Sequence, residues 1–228
     1  MKKLNLPKGY ISWSQYNLWT SNPAAYRREY YYGIKRHENP EMRYGDAVAR
    51  MLESGAKGPV IDLIPRYSVS EYKIETEIAG VPVLAFVDSF EPNVCKFMEY
   101  KTGHKNRQGK DPWDTVKVRK HGQLPFYAAA IKAANGKCNS TVQLIWIETE
   151  ALPGKEQFGS FTLESTDARS LRMTGRIEVF PRRITAWEVS RMEDLIRTSA
   201  MEISKDYTDF EKSAFSSSKS IKSAVKRR

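Results

Sequence analysis

Three charged residues near the middle of the chain stand at a spacing that can do chemistry: Asp88 in LAFVDSFEP, and Glu99 and Lys101 in FMEYKTGHK. The two apolar runs read as neighbouring strands joined by a turn around residues 91 to 94, which brings Asp88 and Glu99 together at the open end of a hairpin. Two carboxylates converging there suit a hard divalent cation. Magnesium takes one or two protein carboxylates and completes its shell with water and substrate phosphate. Because side chains alternate along a strand, Glu99 and Lys101 share a face and Tyr100 points away. An ammonium beside the cation can orient an attacking water or help deprotonate it, and can offset phosphate charge; the chemistry is metal-assisted phosphodiester hydrolysis. The same residues would also serve as the polar trim of a surface hairpin, an ion pair worth about 0–1 kcal/mol. The elements around them have to decide.

Residues 10 to 33 read as two short helices, with Ser12 or Ser14 capping the first and Asn22-Pro23 opening the second. Trp13, Tyr16, Trp19, Tyr26, Tyr30 and Tyr31 recur there at helical spacing, which fits core packing and leaves one or two to stack on bases. A third helix spans 41 to 55. Period-two patterning then predicts strands over 67–80, 81–90 and 94–101. The polar, basic connection 104–113 is expected to be mobile. Residues 114 to 136 read as a helix with Asp114 as N-cap, Gly136 as terminator, and a kink or restart at Pro125. The apolar run 140–150 reads as an interior strand, and GSFTLES (159–165) and GRIEVFPRR (175–183) as further strands. A long helix over 185–212 places Trp187, Met192, Leu195, Ile196 and Ile203 on one broad face. The end, 213–228, has five positive charges and no acid, the composition of a disordered basic tail. The order predicts one α/β domain over residues 1–212: a helical part 10–57, a core 66–150, and C-terminal strands and helix 158–212, around one central mixed sheet.

Composition narrows the partners. A net charge of +10 favours a polyanion, nucleic acid being the commonest, although a solvated basic surface carries the same sign. The 2 cysteines, Cys95 and Cys138, cannot supply a zinc cluster or a disulfide framework. With no secretory signal or membrane span read in the chain, a cytoplasmic location is expected.

The stretch VLAFVDSFEPNVCKFMEYKTG resembles the core of the PD-(D/E)XK nucleases, in the RecB-type exonuclease branch. Upstream, ISWSQYNLWTSNPAAYRREYYYG resembles the opening S-x-S helix and C-P-x-x-(Y/F) segment of that branch, and YGDAVARMLE its G-x-x-x-H helix. Downstream, QLPFYAAAI resembles its Q-x-x-x-Y helix. These segments follow the family's order across residues 11 to 131. The resemblance implies a restriction-endonuclease-like core and a metal-dependent deoxyribonuclease of recombination, repair or phage DNA metabolism. It implies Mg2+ or Mn2+ held by Asp88, Glu99 and the Tyr100 carbonyl, with Lys101 catalytic. Gln123 and Tyr127 would border the site and touch the DNA backbone or the water. Lys105, Arg107, Lys110, Lys117, Arg119, Lys120 and His121 lie between the strand and the Q-x-x-x-Y helix, where they would track phosphates.

The chain departs from the family pattern in places. Ala49 stands where the helix often carries a metal-binding histidine: either the metal site uses fewer side chains, or Glu53, one turn on, substitutes, a residue that equally fits an ordinary solvent-facing helix acid. Asn22-Pro23 stands where cluster-bearing members have cysteine, so no iron–sulfur cluster is expected. Ala85 replaces a glycine. Two other readings stay open: a catalytically weakened DNA-binding or accessory subunit of the same fold, and a basic RNA-binding module, which leaves Asp88, Glu99, Lys101 and Gln123 without a role. The expected partners are single-stranded DNA or duplex ends, with recombination or replication proteins.

Overall fold

The structure, a computed structural model, describes residues 4–139, 141–151 and 171–225, with side chains as far as residue 215. Helix α1 (Trp13–Ser21) starts where the Ser12 hydroxyl accepts the Gln15 N–H, and α2 (Pro23–Tyr30) where the Asn22 side chain accepts the Ala25 N–H. Pro23 and Pro40 open α2 and α3 (Pro40–Glu53), where no backbone donor is missed. A 3-10 turn (Ile61–Leu63) leads to β1 (Val69–Ile78), β2 (Val81–Glu91) and β3 (Lys96–Gly103).

The 114–136 segment is two helices, not one. Helix α4 (Thr115–Lys120) is capped by Asp114 and ends at His121, and α5 (Gln123–Asn135) begins after Gly122. Pro125 thus falls in the first turn of α5, where its missing N–H costs nothing. Strand β4 (Thr141–Ala151) buries Leu144 to Ile147 without a break, as a strand covered on both faces must. Strand β5 (Leu171–Arg183) leads to α6 (Ala186–Val225), opened by a reciprocal cap in which Thr185 Oγ accepts the Glu188 N–H and Glu188 accepts the Thr185 N–H at 2.8 Å. The expected tail from 213 is corrected as far as residue 225: α6 runs on, because no glycine or proline after Ala186 stops it. The predicted strand at 159–165 lies outside the described residues.

The sheet is five-stranded in the order β1-β2-β3-β4-β5, antiparallel except for the parallel β3–β4 pair that α4 and α5 connect. This is the mixed sheet the sequence predicts. Helices α1, α2, α5 and α6 cover one face around Val83, Val87, Phe97, Leu144 and Trp146. Helix α3 and the 3-10 turn cover the other, around Met98, Ile145 and Ile147. The connection 104–113, expected to be mobile, is pinned. Asp111 makes a bidentate pair with Arg176 at 2.9 and 2.8 Å, and Arg176 lies over the Trp146 ring.

One irregularity positions everything that follows. Strands β2 and β3 pair only from Glu91–Lys96 to Ser89–Met98 and then part. The open side of β2 is taken instead by the N-terminal segment. Ile11 donates its N–H to the Pro82 carbonyl at 2.9 Å and accepts the Leu84 N–H at 3.0 Å.

Candidate active site

At the point where β2 and β3 part, Asp88 replaces a backbone partner: its Oδ2 accepts the Tyr100 N–H at 2.7 Å. The carboxylate therefore sits in the crotch of the fork, next to Glu99. Burial, and then the Glu99 charge, holds the Asp88 carboxyl well above the usual carboxylate range. Glu99 is 2% exposed. Its Oε1 accepts the Lys101 ammonium at 2.6 Å, while its buried Oε2 has no hydrogen-bond partner. Tyr100 turns to the opposite face, as alternation predicts, and its hydroxyl donates to the Pro65 carbonyl at 2.8 Å.

Lys101 is held from two sides, since its ammonium also donates to Gln123 Oε1 at 2.9 Å. Burial opposes its charge, but Glu99, with Asp88 behind it, keeps it above the ordinary lysine value. Gln123 in turn donates from Nε2 to the Tyr127 hydroxyl at 2.8 Å. Burial, and then the charges of Glu99 and Asp88, push that phenol further up. Gln123 and Tyr127, expected to border the site and touch DNA or water, are both buried and spend these contacts on each other and on Lys101.

Helix α3 stands over the fork and leaves a cleft of about 430 Å³, lined by Asn39, Met42, Asp46 and Ala49 on the helix side and by Asp88, Glu99, Tyr100 and Lys101 on the sheet side. The helix sits close: a Cβ on Gly45 would lie 3.1 Å from Thr102 Oγ. A second hollow of about 210 Å³ continues from Asp88 toward Asp46, Glu53 and Glu71. Glu53 is thus near the site, but its carboxyl hydrogen-bonds Glu71 rather than the Asp88–Glu99 pair.

Glu71 was hidden in the sequence. It reads as one polar position of an alternating strand, yet its φ is +49° and it falls where the β1–β2 ladder is interrupted, between the Ser70–Ser89 and Tyr72–Val87 pairs. Burial, then the Glu53 hydrogen bond, raises its carboxyl. A non-glycine residue in the left-handed region within a strand carries backbone strain, and no local sequence signal announces it.

Does this donor set fit a divalent cation? Among the described residues no three His, Cys, Asp or Glu side chains close into a cage. An open set of two adjacent carboxylates, one with an unpartnered buried oxygen, matches the few protein ligands that Mg2+ takes. The residues fit.

The basic residues divide. Lys105 lies 3.7 Å from Glu148 and 4.0 Å from Asp111, and Lys117 donates to the Pro112 carbonyl at 2.8 Å. Arg107, Lys110, Arg119 and Lys120 are exposed. His121, expected on phosphate, is half-buried and turned inward: its Nε2 lies 3.2 Å from Gln123 Oε1, because Trp13 and Trp113 hold the ring edge-on from both sides.

No family model and no curated protein matches the sequence. Solved structures do. A candidate exonuclease from Eubacterium rectale superposes with a TM-score of 0.54 at 13% identity, over 87% of this chain and 82% of that one. The chain shares the overall fold of that protein, a mixed sheet flanked by helices. A phage-related exonuclease from Haemophilus somnus matches at a TM-score of 0.49 and 10% identity, over 81% of this chain and 79% of its own. An alkaline exonuclease from Laribacter hongkongensis, in complex with dAMP, matches at 0.47 and 14%, over 92% and 95%. Among the described residues, no helix is long and apolar enough to cross a membrane.

Proposed function

We propose that this protein is a divalent-metal-dependent deoxyribonuclease, an exonuclease working on DNA ends or single strands. The observation that carries the reading is the pair of buried carboxylates at the β2–β3 fork, with the Glu99 Oε2 left unpartnered and the Lys101 ammonium beside it. A buried carboxylate oxygen without a donor costs free energy that a bound cation removes. Asp88, Glu99 and the Tyr100 carbonyl would hold Mg2+ or Mn2+, and Glu53 and Glu71 extend the acidic lining where Ala49 offers no donor. Such a cation supplies Lewis-acid polarisation of the phosphodiester and a water of lowered pKa.

The chain's own residues do the rest. Tyr100 N–H occupies one Asp88 oxygen and fixes the plane of that carboxylate. Glu99 and Asp88 favour the charge of Lys101. Beside the cation, Lys101 would orient the attacking water and neutralise phosphate charge. The cleft of about 430 Å³ is of a size that takes one small ligand such as a nucleotide, within the usual span of about 300–1,000 Å³. The exposed Arg107, Lys110, Arg119 and Lys120 would meet the backbone of the DNA. The exonuclease form of the reading follows the description of the Eubacterium rectale protein.

Ala49 favours a second reading, in which the same fold binds DNA without cutting it. One experiment separates them: purified protein is incubated with linear and circular, single- and double-stranded DNA, with Mg2+, with Mn2+ and with EDTA, alongside Glu99→Ala and Lys101→Ala. Degradation of linear DNA that needs metal and disappears in both variants supports the exonuclease. Metal-dependent degradation surviving both substitutions removes the proposed site, and tight binding without cleavage under either metal leaves the accessory subunit.

A further inference from the structure

Lys101 ends on Gln123, and the structure continues one residue further. Gln123 Oε1 faces two nitrogens, the Lys101 Nζ at 2.9 Å and the His121 Nε2 at 3.2 Å. A lysine ammonium has donors only, so the amide atom it meets must be the oxygen. That oxygen accepts from both sides, and His121 must therefore carry its hydrogen on Nε2. From this geometry we infer that His121 is a positioning residue: as a neutral Nε2–H donor it locks the Gln123 carboxamide with its oxygen toward Lys101 and so fixes the ammonium against Glu99. The inference rests on the nuclease reading of Lys101.

The surroundings are built for such a role. The imidazole is held edge-on by Trp113 at 5.1 Å and Trp13 at 6.1 Å between ring centres. Its backbone carbonyl accepts the buried Arg182 guanidinium at 2.7 Å, which anchors the residue at the junction of α4 and α5. Trp13 is pressed so closely on that junction that a Cβ on Gly122 would meet its ring at 2.9 Å. Burial first, then the positive charges of Lys101 and Arg182, lowers the imidazole pKa to about 4, with the Gln123 hydrogen bond opposing. At working pH the ring is neutral, as a donor at Nε2 with Nδ1 bare requires. Freed from His121, the Gln123 carboxamide could rotate and present its NH2 to the ammonium, a repulsive contact.

The test compares His121→Leu, which keeps bulk and loses the donor, with His121→Gln, which restores an N–H. Positioning predicts a fall in kcat of about tenfold or more in the leucine variant, the usual effect of losing an orienting partner. The KM for DNA stays unchanged, and most of the loss returns in the glutamine variant. Combining His121→Leu with Gln123→Leu should cost no more than Gln123→Leu alone, since one acts through the other. A raised KM and a salt dependence weakened by about one phosphate contact would overturn the inference and return His121 to the DNA. Nitrogen-15 NMR of the imidazole reads the same point without activity. The Nε2–H tautomer, neutral at pH 6, is expected; an Nδ1–H tautomer, or titration near the ordinary value of about 6.5, overturns it. An inactive protein with the expected tautomer would sink the nuclease reading and leave the Gln123 lock standing.

Discussion

The two helices that face each other across the sheet behave in opposite ways. Helix α5 buries every residue from Gln123 to Ile131, and on its side of β3 the polar chain from Glu99 Oε1 through Lys101 and Gln123 to Tyr127 is paired link by link. Helix α3 buries only Pro40, Val48 and Leu52; beneath it lie Asp88 and Glu71, and its own last residue, Glu53, faces Glu71, so that acidic groups are pushed together. One side is satisfied and holds positions. The other is unsatisfied, and its deficit is one that a cation relieves. A site needs both: buried polar groups rigidify when fully paired, and strain is kept where a ligand will be received.

The sharpest way to break this contrast is on the unsatisfied side. Glu99→Gln keeps the shape and removes the charge, and DNA cleavage should fall by at least about a thousandfold. Mn2+ binding, followed by calorimetry, should weaken in parallel. A variant that cuts normally would mean that the deficit under α3 has nothing to do with catalysis. On the satisfied side the effect should be structural. Phe126, fully buried among Trp13, Tyr16 and Tyr127, should cost about 3–5 kcal/mol as Phe126→Ala. A thermal melt should show a midpoint lower by roughly 10 °C.

A change of opposite sign is expected at Asp88. Its folded carboxyl titrates above the unfolded value, so the folded chain binds more protons, and stability falls as pH rises through that window. Asp88→Asn removes this term. In EDTA it should melt a few degrees higher than the parent at pH 8, with the gap shrinking toward pH 4, while activity is lost. A lower melting point at pH 8 would place the strain elsewhere. The smallest effect belongs to the exposed cations. Arg107→Ala or Lys110→Ala should leave kcat intact and reduce the salt slope of DNA binding by about 1 each.

What could be read from the sequence follows the range of the signals. Asp88, Glu99 and Lys101 were legible because alternation on adjoining strands fixes which side chains meet. Gln123 and Tyr127 were legible as neighbours because one helical turn separates them. That Gln123 would turn to Lys101 was not, since only the packing of α5 on β3 decides it. His121 read as a loop cation because its character comes from Trp13, Trp113 and Arg182, each on another element. Glu71 was missed for a similar reason: an alternating pattern carries no mark of a positive φ. The basic stretch 104–113 looked mobile because its anchor, Arg176, lies on a distant strand. The helix past residue 212 was missed because serine lowers helix propensity without ending a helix.

The insertion of Ile11 beside β2 has a consequence for how the molecule is made. The edge that residue 11 completes does not exist until β2 has formed, and the wedge of the fork waits longer still, for β3 and α5. The opening segment is thus a late-closing latch, a contact of long sequence separation of the kind that slows folding. Until it closes, the crotch that brings Asp88 to Glu99 has no fixed width. On this route the carboxylate pair takes its fixed spacing only once Ile11 has closed on β2.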